Sequence, residues 1–195
     1  MLENERHLRE MTDEELIEEI LNGSDLALRQ LHDRYINQVF QYAYTQTGDY
    51  HRAEEVTQDI MYKMAANLAD FQGRSSFKTW LFAIGRRVVI DYFRKYGKEA
   101  QTVEVDHEFL DRFAQPDNVE GKVMHNQLRE QLLNGLKQLP VDDRTVIYLR
   151  FMEGLSLSET AQVMSRTTQA VKSLQHRAKR KLAQLIGSEV SENGW

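Results

Sequence analysis

The sequence contains no cysteine, and only 2 of its 195 residues are proline and 10 glycine. The absence of cysteine excludes disulfide bonds and thiolate metal sites. Scarce proline and glycine favour an all-α fold, because few residues interrupt a helix. No run of 18 apolar residues occurs, so we expect no membrane-spanning helix. The acidic N-terminal segment lacks the pattern of a signal peptide, and we expect a cytoplasmic protein.

Motifs for catalysis are also lacking. The 6 histidines are scattered and form no H-E-x-x-H zinc motif. Neither a phosphate-binding glycine loop nor a G-x-S-x-G nucleophile motif occurs. Carboxylates are plentiful, but they fall on helix faces that the pattern predicts to be solvated. We therefore expect a protein that is not an enzyme and holds no metal or cofactor.

The net charge of −5 conceals a strong segregation of charge along the chain. Residues 1–25 hold nine acidic and two basic residues, and residues 99–120 hold seven acidic and one basic. Residues 72–98 hold seven basic and one acidic residue, and residues 166–182 hold six basic and no acidic. Two separated basic segments indicate two contacts with one polyanion, and the acidic segments would limit non-specific binding.

Residues 153–182 predict two helices joined by a tight turn. Gly154 ends the preceding helix, Ser156 and Glu159 have capping-box spacing, and Thr167 is a candidate N-cap. In the second helix, apolar residues recur every three or four positions: Val171, Leu174, Ala178 and Leu182. The opposite face is polar and free of acids: Gln169, Lys172, Ser173, His176 and Arg180. This pattern is typical of a helix–turn–helix in a DNA major groove; the plainer interpretation is a hairpin with a solvated face.

The N-terminal half predicts a bundle of helices. Thr12 and Glu15 form a second capping box, a long helix runs from Ser24/Asp25 to about Gly48, and another covers 50–69. The aromatic residues of the long helix are interpreted as core and not as a base-stacking platform. The 50–69 helix has a polar face that is either solvated or a docking surface: Glu55, Gln58, Asp59 and Tyr62, with Glu54 and an exposed Met61 at its edges.

Residues 71–95 combine a polar loop with a helix that is apolar almost all round. Such a helix is buried from two directions, and we expect Trp80 to anchor it. Basic residues decorate the loop, flank and end of this segment: Arg74, Lys78, Arg86, Arg87, Arg94 and Lys95. Mixed aromatic and basic residues suit a single-stranded nucleic acid. The alternative is a core helix with snorkelling arginines.

Residues 97–122 lose helical periodicity, are acidic and contain Pro116, which predicts a flexible linker. A helical pattern returns near residue 123 and stops at Pro140, and Asp142 or Asp143 is the predicted cap of the next helix. The predicted organisation is an extension, a helical domain, an acidic linker, a helix–turn–helix domain and a frayed end, at residues 1–11, 12–97, 98–122, 123–187 and 188–195.

Three stretches in this order resemble the extracytoplasmic-function (group IV) sigma factors of bacterial RNA polymerase. They are AEEVTQDIM (53–61), FQGRSSFKTWLFAIGRR...IDYFRK (71–95) and LPVDDRTVIYLRFMEGLSLSETAQVM...VKSLQHRAKRKL (139–182). The resemblance covers about residues 12–186. It implies two helical domains, similar to sigma-2 and sigma-4, and a role in promoter recognition and melting for a stress or envelope regulon. It also implies three partners: core RNA polymerase through its clamp and flap, promoter DNA, and an anti-sigma factor.

The resemblance also implies site residues. Those expected to bind core polymerase are Glu54, Glu55, Gln58, Asp59 and Met61. Those expected to bind the minus-ten element are Gly73, Arg74, Ser75, Ser76, Phe77, Lys78, Trp80, Arg86, Arg87, Asp91, Arg94 and Lys95. Those expected to bind the minus-thirty-five element are Arg166, Thr167, Thr168, Gln169, Lys172, Ser173, His176, Arg177 and Arg180.

The sequence departs from the family pattern at a few positions. Arg87 replaces a usual Asn, Ser165 a common Gly in the turn, and Leu174 and Gln175 stand where Arg and Leu are frequent. The alternative function is a two-domain transcriptional regulator that binds duplex operator DNA without polymerase. Such a regulator needs a ligand pocket or phosphoacceptor, and residues 12–97 show neither pattern clearly.

Overall fold

The computed structural model describes residues 7–97 and 131–192, with side chains as far as residue 187. Residues 7–10 form a helical turn, and eight longer helices follow in the described ranges. They are α1 Asp13–Leu21, α2 Asp25–Thr47, α3 Tyr50–Ala66, α4 Phe77–Tyr96, α5 131–138, α6 Val141–Ile147, α7 Leu157–Met164 and α8 Thr168–Glu192. A 3₁₀ turn, Leu68–Asp70, follows α3, and a π-helical turn, Tyr148–Met152, extends α6. These ranges contain no strand and no helix long and apolar enough to cross a membrane.

Side-chain caps set the starts of the helices. Both capping boxes are confirmed: the Glu15 amide donates to the Thr12 hydroxyl at 3.2 Å, and the Glu159 amide donates to the Ser156 hydroxyl at the same distance. At the end of α2, Gly48 has a φ of 72°, in the left-handed region that glycine tolerates. The expected boundaries of α2 are therefore confirmed.

Several predicted boundaries need correction. Neither Asp142 nor Asp143 caps α6, because Pro140 is the N-cap and both aspartates lie in the first turn, where their carboxylates bind arginines. Helix α3 ends at Ala66, before the predicted 69, because the chain tightens into the 3₁₀ turn. The backbone is helical as far as Glu192. The predicted linker, 98–122, lies outside the described residues.

The first unit, residues 7–97, packs α1 to α4 around a core of aliphatic and aromatic side chains. Tyr42 and Leu81 are fully buried, and Phe82 is 1% exposed. The Tyr42 ring meets the Phe82 ring edge to face at 5.6 Å. The prediction that aromatic residues of α2 belong to the core is thus confirmed for Tyr42.

The second unit, residues 131–192, packs directly on the first. Helix α4 contacts α3 on one side and α7 on another, which confirms its expected burial from two directions. Tyr148 joins the two cores: its ring lies 5.3 Å from Tyr42, and its hydroxyl donates to the carbonyl oxygen of Gln38 at 2.8 Å. Burial, followed by the charge of Glu153, raises the pKa of Tyr148, so it remains a neutral donor.

Candidate nucleic-acid and polymerase interfaces

Helix α8 has one buried, apolar face and one exposed face. The predicted apolar stripe is confirmed, since Val171, Leu174, Ala178 and Leu182 are all at most 8% exposed. The expected base-contacting side chains all belong to exposed residues: Gln169, Lys172, Ser173 and His176. Thr167 accepts a hydrogen bond from the Ala170 amide at 3.2 Å, as a predicted N-cap should. The helix thus offers an acid-free, hydrogen-bonding surface to a groove.

A buried carboxylate fixes the orientation of α8. The side chain of Asp143 is fully buried, and it accepts hydrogen bonds from Arg177 at 3.0 Å and Lys181 at 3.1 Å. Two cations of α8 are therefore neutralised on the side that faces α6. The Arg177 side chain is still 60% exposed. Arg180 and Thr168, which lie farther around the helix, are exposed.

The turn between α7 and α8 requires an unusual backbone. Ser165 ends α7 with φ 52° and ψ 46°, the left-handed conformation, and its amide donates to the Gln162 carbonyl at 3.1 Å. Among the described residues it is the one non-glycine with a positive φ. The glycine that the family often places here would meet the same geometry without strain.

The loop before α4 is exposed and polar. Gly73 and Arg74 are exposed, and Gly73 has a φ of 65°. Ser76 caps α4 by accepting from the Thr79 amide at 3.2 Å. Phe77, expected in the minus-ten surface, is 1% exposed, because it packs between Tyr35 and Phe71 at ring distances of 5.2 and 5.7 Å. Phe77 thus supports the loop from below.

Two basic residues of α4 are engaged by the second unit. Lys78 pairs with Glu153 at 2.6 Å, and Arg86 pairs with Asp142 at 2.9 Å. Farther along the helix, Arg87, Arg94 and Lys95 are exposed, and Arg94 forms an ion pair with Asp91 at 3.1 Å. Trp80 is partly buried against Phe71, with ring centroids 5.5 Å apart. The expected minus-ten set is therefore split between an open and a covered part.

The polar face of α3 is exposed as expected, with one exception. Glu55, Gln58 and Asp59 are exposed, and Tyr62 is 74% exposed. The expectation of an exposed Met61 is wrong: it is 7% exposed, because the buried stripe of α3 also takes in Thr57 and Met64. Helical spacing places these residues on one side of α3. The exposed face of α3 therefore presents carboxylate, amide and phenol groups to a partner.

A buried cation lies between the two units. Arg144 is 2% exposed, and its guanidinium lies 5.7 Å from the Phe93 ring centre. Its Nε and Nη2 have no hydrogen-bond partner among the described residues. Desolvation lowers the pKa of Arg144 to about 10. Nothing in the sequence pattern distinguished this residue from a surface arginine, since its burial depends on the packing of the two units.

The described part of the chain contains no group of three or more histidine and carboxylate residues placed to hold a metal ion.

Comparison with known proteins identifies the family. The Sigma-70 region 2 family matches residues 31–99, and the Sigma-70 region 4 family matches residues 129–182. The ECF RNA polymerase sigma factor SigX of Bacillus subtilis is 33% identical over 171 residues, which cover 84% of this chain and 87% of SigX. The chain belongs to the ECF sigma factor family.

Other relatives agree with this assignment. The ECF RNA polymerase sigma-E factor of Escherichia coli K12 is 29% identical over 178 residues, or 87% of this ECF sigma factor and 92% of the relative. In fold it is similar to CnrH in its complex with the cytosolic domain of CnrY, with a TM-score of 0.65 and 24% identity over 90% of this chain and 97% of CnrH. RpoE of Bartonella quintana, in its complex with the anti-sigma factor NepR, also has a TM-score of 0.65, at 23% identity. The match covers 82% of this chain and 96% of RpoE. The first and second units therefore correspond to the region-2 and region-4 domains of an RNA polymerase sigma factor.

Proposed function

We propose that three surfaces of this ECF sigma factor divide its work at a promoter. The exposed face of α3 binds core RNA polymerase, the loop 73–76 with α4 binds the minus-ten strand, and α8 reads the minus-thirty-five element. The observation that carries the proposal is the acid-free exposed face of α8 above a buried apolar stripe. This surface suits a major groove, where lysine, histidine and glutamine can donate to base edges.

The loop and α4 are suited to hold an unpaired strand. Gly73 and Arg74 are exposed in the loop before α4, Trp80 is partly buried in the first turn of that helix, and Arg87 and Lys95 are exposed farther along it. A base flipped out of a duplex loses roughly a few kcal/mol of stacking, which a pocket must return. Cations for the phosphates and a supported loop for the base supply such contacts. Strand opening by this route needs binding energy and no catalytic residue.

The partners follow from the same surfaces. Core polymerase binds Glu55, Gln58 and Asp59, with Glu54 at the edge, while Met61 supports the face from inside. An anti-sigma factor that holds this chain inactive is a further proposal, motivated by the anti-sigma complex of Bartonella RpoE. We place the protein in the cytoplasm, where polymerase and promoters lie, and assign it to a stress or envelope regulon.

The test is a pull-down of core RNA polymerase by the full chain and by Gln58→Ala/Asp59→Ala. We expect the wild type to bind and the variant to lose at least about tenfold in affinity, because it lacks exposed polar contacts near the centre of the interface. Glu18→Ala/Glu19→Ala, on the exposed face of α1, is the matched control and should bind like the wild type. If Gln58→Ala/Asp59→Ala binds core polymerase as tightly as the wild type, the polymerase contact lies on a face other than that of α3.

The alternative is a regulator that binds operator DNA without polymerase. It predicts tight, specific binding of duplex DNA by the free protein. The sigma function predicts weak binding of free protein and specific binding only of the polymerase complex. Gel-shift titrations with and without core polymerase separate the two.

A further inference from the structure

Arg150 links the turn after α6 to helix α8. It lies in the π-helical turn Tyr148–Met152, and its Nε donates a hydrogen bond to Oε1 of Gln175 at 3.1 Å. Its Nη1 donates to the carbonyl oxygen of Leu155, the residue before the N-cap of α7. One guanidinium thus connects the π-helical turn, the start of α7 and the middle of α8, three parts of the region-4 domain.

Arg150 is held in place independently of α8. The Leu155 amide donates to the Leu149 carbonyl at 2.9 Å, which closes a short loop around Gly154, where φ is 68°. Leu155 is 4% exposed and Leu149 is fully buried. The Leu155 carbonyl that accepts from Arg150 therefore belongs to the packed core of the domain. Because the planar fork of an arginine is pre-organised, it loses little freedom when it binds a second acceptor.

The contact determines which way round the Gln175 amide lies. A guanidinium carries donors and no acceptor, so the amide oxygen of Gln175 faces Arg150 and its amino group points away. The contact therefore requires an oxygen acceptor at residue 175. A methionine there would keep the length of the side chain and lose the hydrogen bond.

Gln175 and the residues bound by Asp143 lie on opposite flanks of the buried stripe of α8. At about 100° per residue, Gln175 lies about 40° to one side of Val171, which belongs to the stripe. Arg177 and Lys181 lie on the other side, where Asp143 accepts from them at 3.0 and 3.1 Å. An apolar stripe alone allows a helix to roll, because hydrophobic contact is not directional. Polar contacts on both flanks limit the roll in both directions.

The rotation of α8 about its axis decides where its exposed side chains end. Lys172 lies three residues before Gln175 and His176 directly after it, and both are exposed. A roll of about 15° moves a side chain that lies about 6 Å from the helix axis by about 1.5 Å. A binding group needs to be held within about 0.5 Å of its productive position. A small roll would therefore change which base edges these side chains reach.

We propose that the Arg150–Gln175 pair sets the rotation of α8 in the major groove, so that both residues position Lys172 and His176 for sequence readout. This inference rests on the proposed function. It adds that base preference at the minus-thirty-five element depends on two residues that do not themselves read a base.

Direct contacts with DNA would give a different result. If Arg150 bound a phosphate, its loss would weaken binding to all sequences alike. If Gln175 read a base itself, its loss would change preference at that base pair, and loss of Arg150 would not. A positioning pair instead predicts the same altered preference profile after loss of either partner.

Selection from a randomised duplex by the complex of the full chain with core polymerase measures this profile. Arg150→Met and Gln175→Met should each lower the enrichment of the preferred base pairs about threefold to tenfold. The double variant should show the same profile and no larger change, because both substitutions break one contact. Uniformly weaker binding by Arg150→Met with an unchanged profile would overturn the proposal.

A conservative variant tests the acceptor. Gln175→Glu keeps an oxygen for Arg150 and should retain the wild-type profile, although its negative charge weakens binding to all sequences, most strongly at low salt. A profile like that of Gln175→Met would contradict the role of the acceptor.

Tyr35→Phe is the control for a general loss of stability. It removes the hydrogen bond from the Tyr35 hydroxyl to Asp13 in the region-2 domain, far from α8 in the sequence. This variant should select the wild-type profile, because its loss of stability does not redirect α8. The same change of profile as in Gln175→Met would show that the profile reports stability and not the rotation of α8.

Urea denaturation of the free protein, followed by circular dichroism, tests the contact without DNA or polymerase. Gln175→Met should lower the midpoint in the wild-type background and change it little in the Arg150→Met background. Additive shifts would show that the two residues do not interact, and would defeat the inference whatever the polymerase complex selects. A wild-type complex that selects no sequence would defeat the proposed function. A selective wild type whose profile the variants leave unchanged would defeat this inference alone.

Discussion

The carboxylate of Asp143, in α6, accepts a hydrogen bond from Arg177, in α8, at 3.0 Å. The Asp143 side chain is fully buried, while that of Arg177 remains 60% exposed. The same carboxylate accepts from Lys181 one turn later in α8. This relationship sets the direction in which α8 leaves the core, and so the direction in which its polar face is presented.

Asp143→Ala should destabilise the chain by about 2–4 kcal/mol, because two cations lose their buried partner and a small cavity remains. Urea denaturation, followed by circular dichroism, measures this change. Asp33→Ala, at an exposed position of α2, should change stability by less than about 0.5 kcal/mol. A similar loss in both variants would mean that Asp143 has no special structural role.

Substitution of Ser165 by glycine should stabilise the chain by about 0.5–1 kcal/mol, because glycine adopts a left-handed φ without steric strain. The same change at Ser158, an exposed residue inside α7, should destabilise it by about 1 kcal/mol. Thermal unfolding of the two variants should shift in opposite directions. A fall in melting temperature for Ser165→Gly would contradict the strain.

Glu159 should make stability depend on pH in the acid range. Its side-chain and backbone hydrogen bonds with Ser156 lower its pKa below the ordinary 4.5. The stabilisation is therefore complete above about pH 4.5 and is lost as pH falls through the lower pKa of the folded state. Glu159→Gln should be less stable than the wild type at pH 7, and the difference should shrink at pH 3.5. A difference independent of pH would show that the charge of Glu159 contributes nothing.

Lys172→Ala and His176→Ala should alter sequence preference by about 1–3 kcal/mol at individual base pairs, if these exposed side chains meet base edges. Arg180→Ala should weaken binding to all sequences alike and make the salt dependence shallower, because a phosphate contact carries no sequence information. Selection from a randomised duplex by the polymerase complex measures both effects. If Lys172→Ala weakens binding to all sequences equally, Lys172 contacts the phosphate backbone and not base edges.

Local signals in the sequence predicted most of the fold. The capping pairs Thr12–Glu15 and Ser156–Glu159 act over three residues, so their spacing alone fixes where α1 and α7 begin. The dry stripe of α8 followed from helical periodicity in the same way. Helical periodicity did not predict the burial of Met61, because Met61 lies at the edge of the buried stripe of α3 and a change of one position in the width of that stripe decides its exposure.

Contacts between the domains could not be predicted. Lys78 and Glu153 are 75 residues apart, and neither has a neighbour in sequence that marks it as a partner. Aspartate is a preferred residue type at a helix N-cap, which is why Asp142 was a candidate. Its carboxylate instead accepts hydrogen bonds from Arg86 and Arg166 in tertiary contacts. The split of the proposed minus-ten surface into open and covered parts depends wholly on such contacts.

The most direct measurement of the sigma function is transcription in vitro from a library of random upstream sequences, with core RNA polymerase and this protein as the only factors. We expect transcripts to start at a fixed distance from two sequence blocks that keep a constant spacing from one another, and to depend on Gln58 and Asp59 as polymerase binding does. Core polymerase alone should yield no such enrichment. Transcripts with the protein that are no more abundant or specific than with core polymerase alone would contradict the assignment of sigma function.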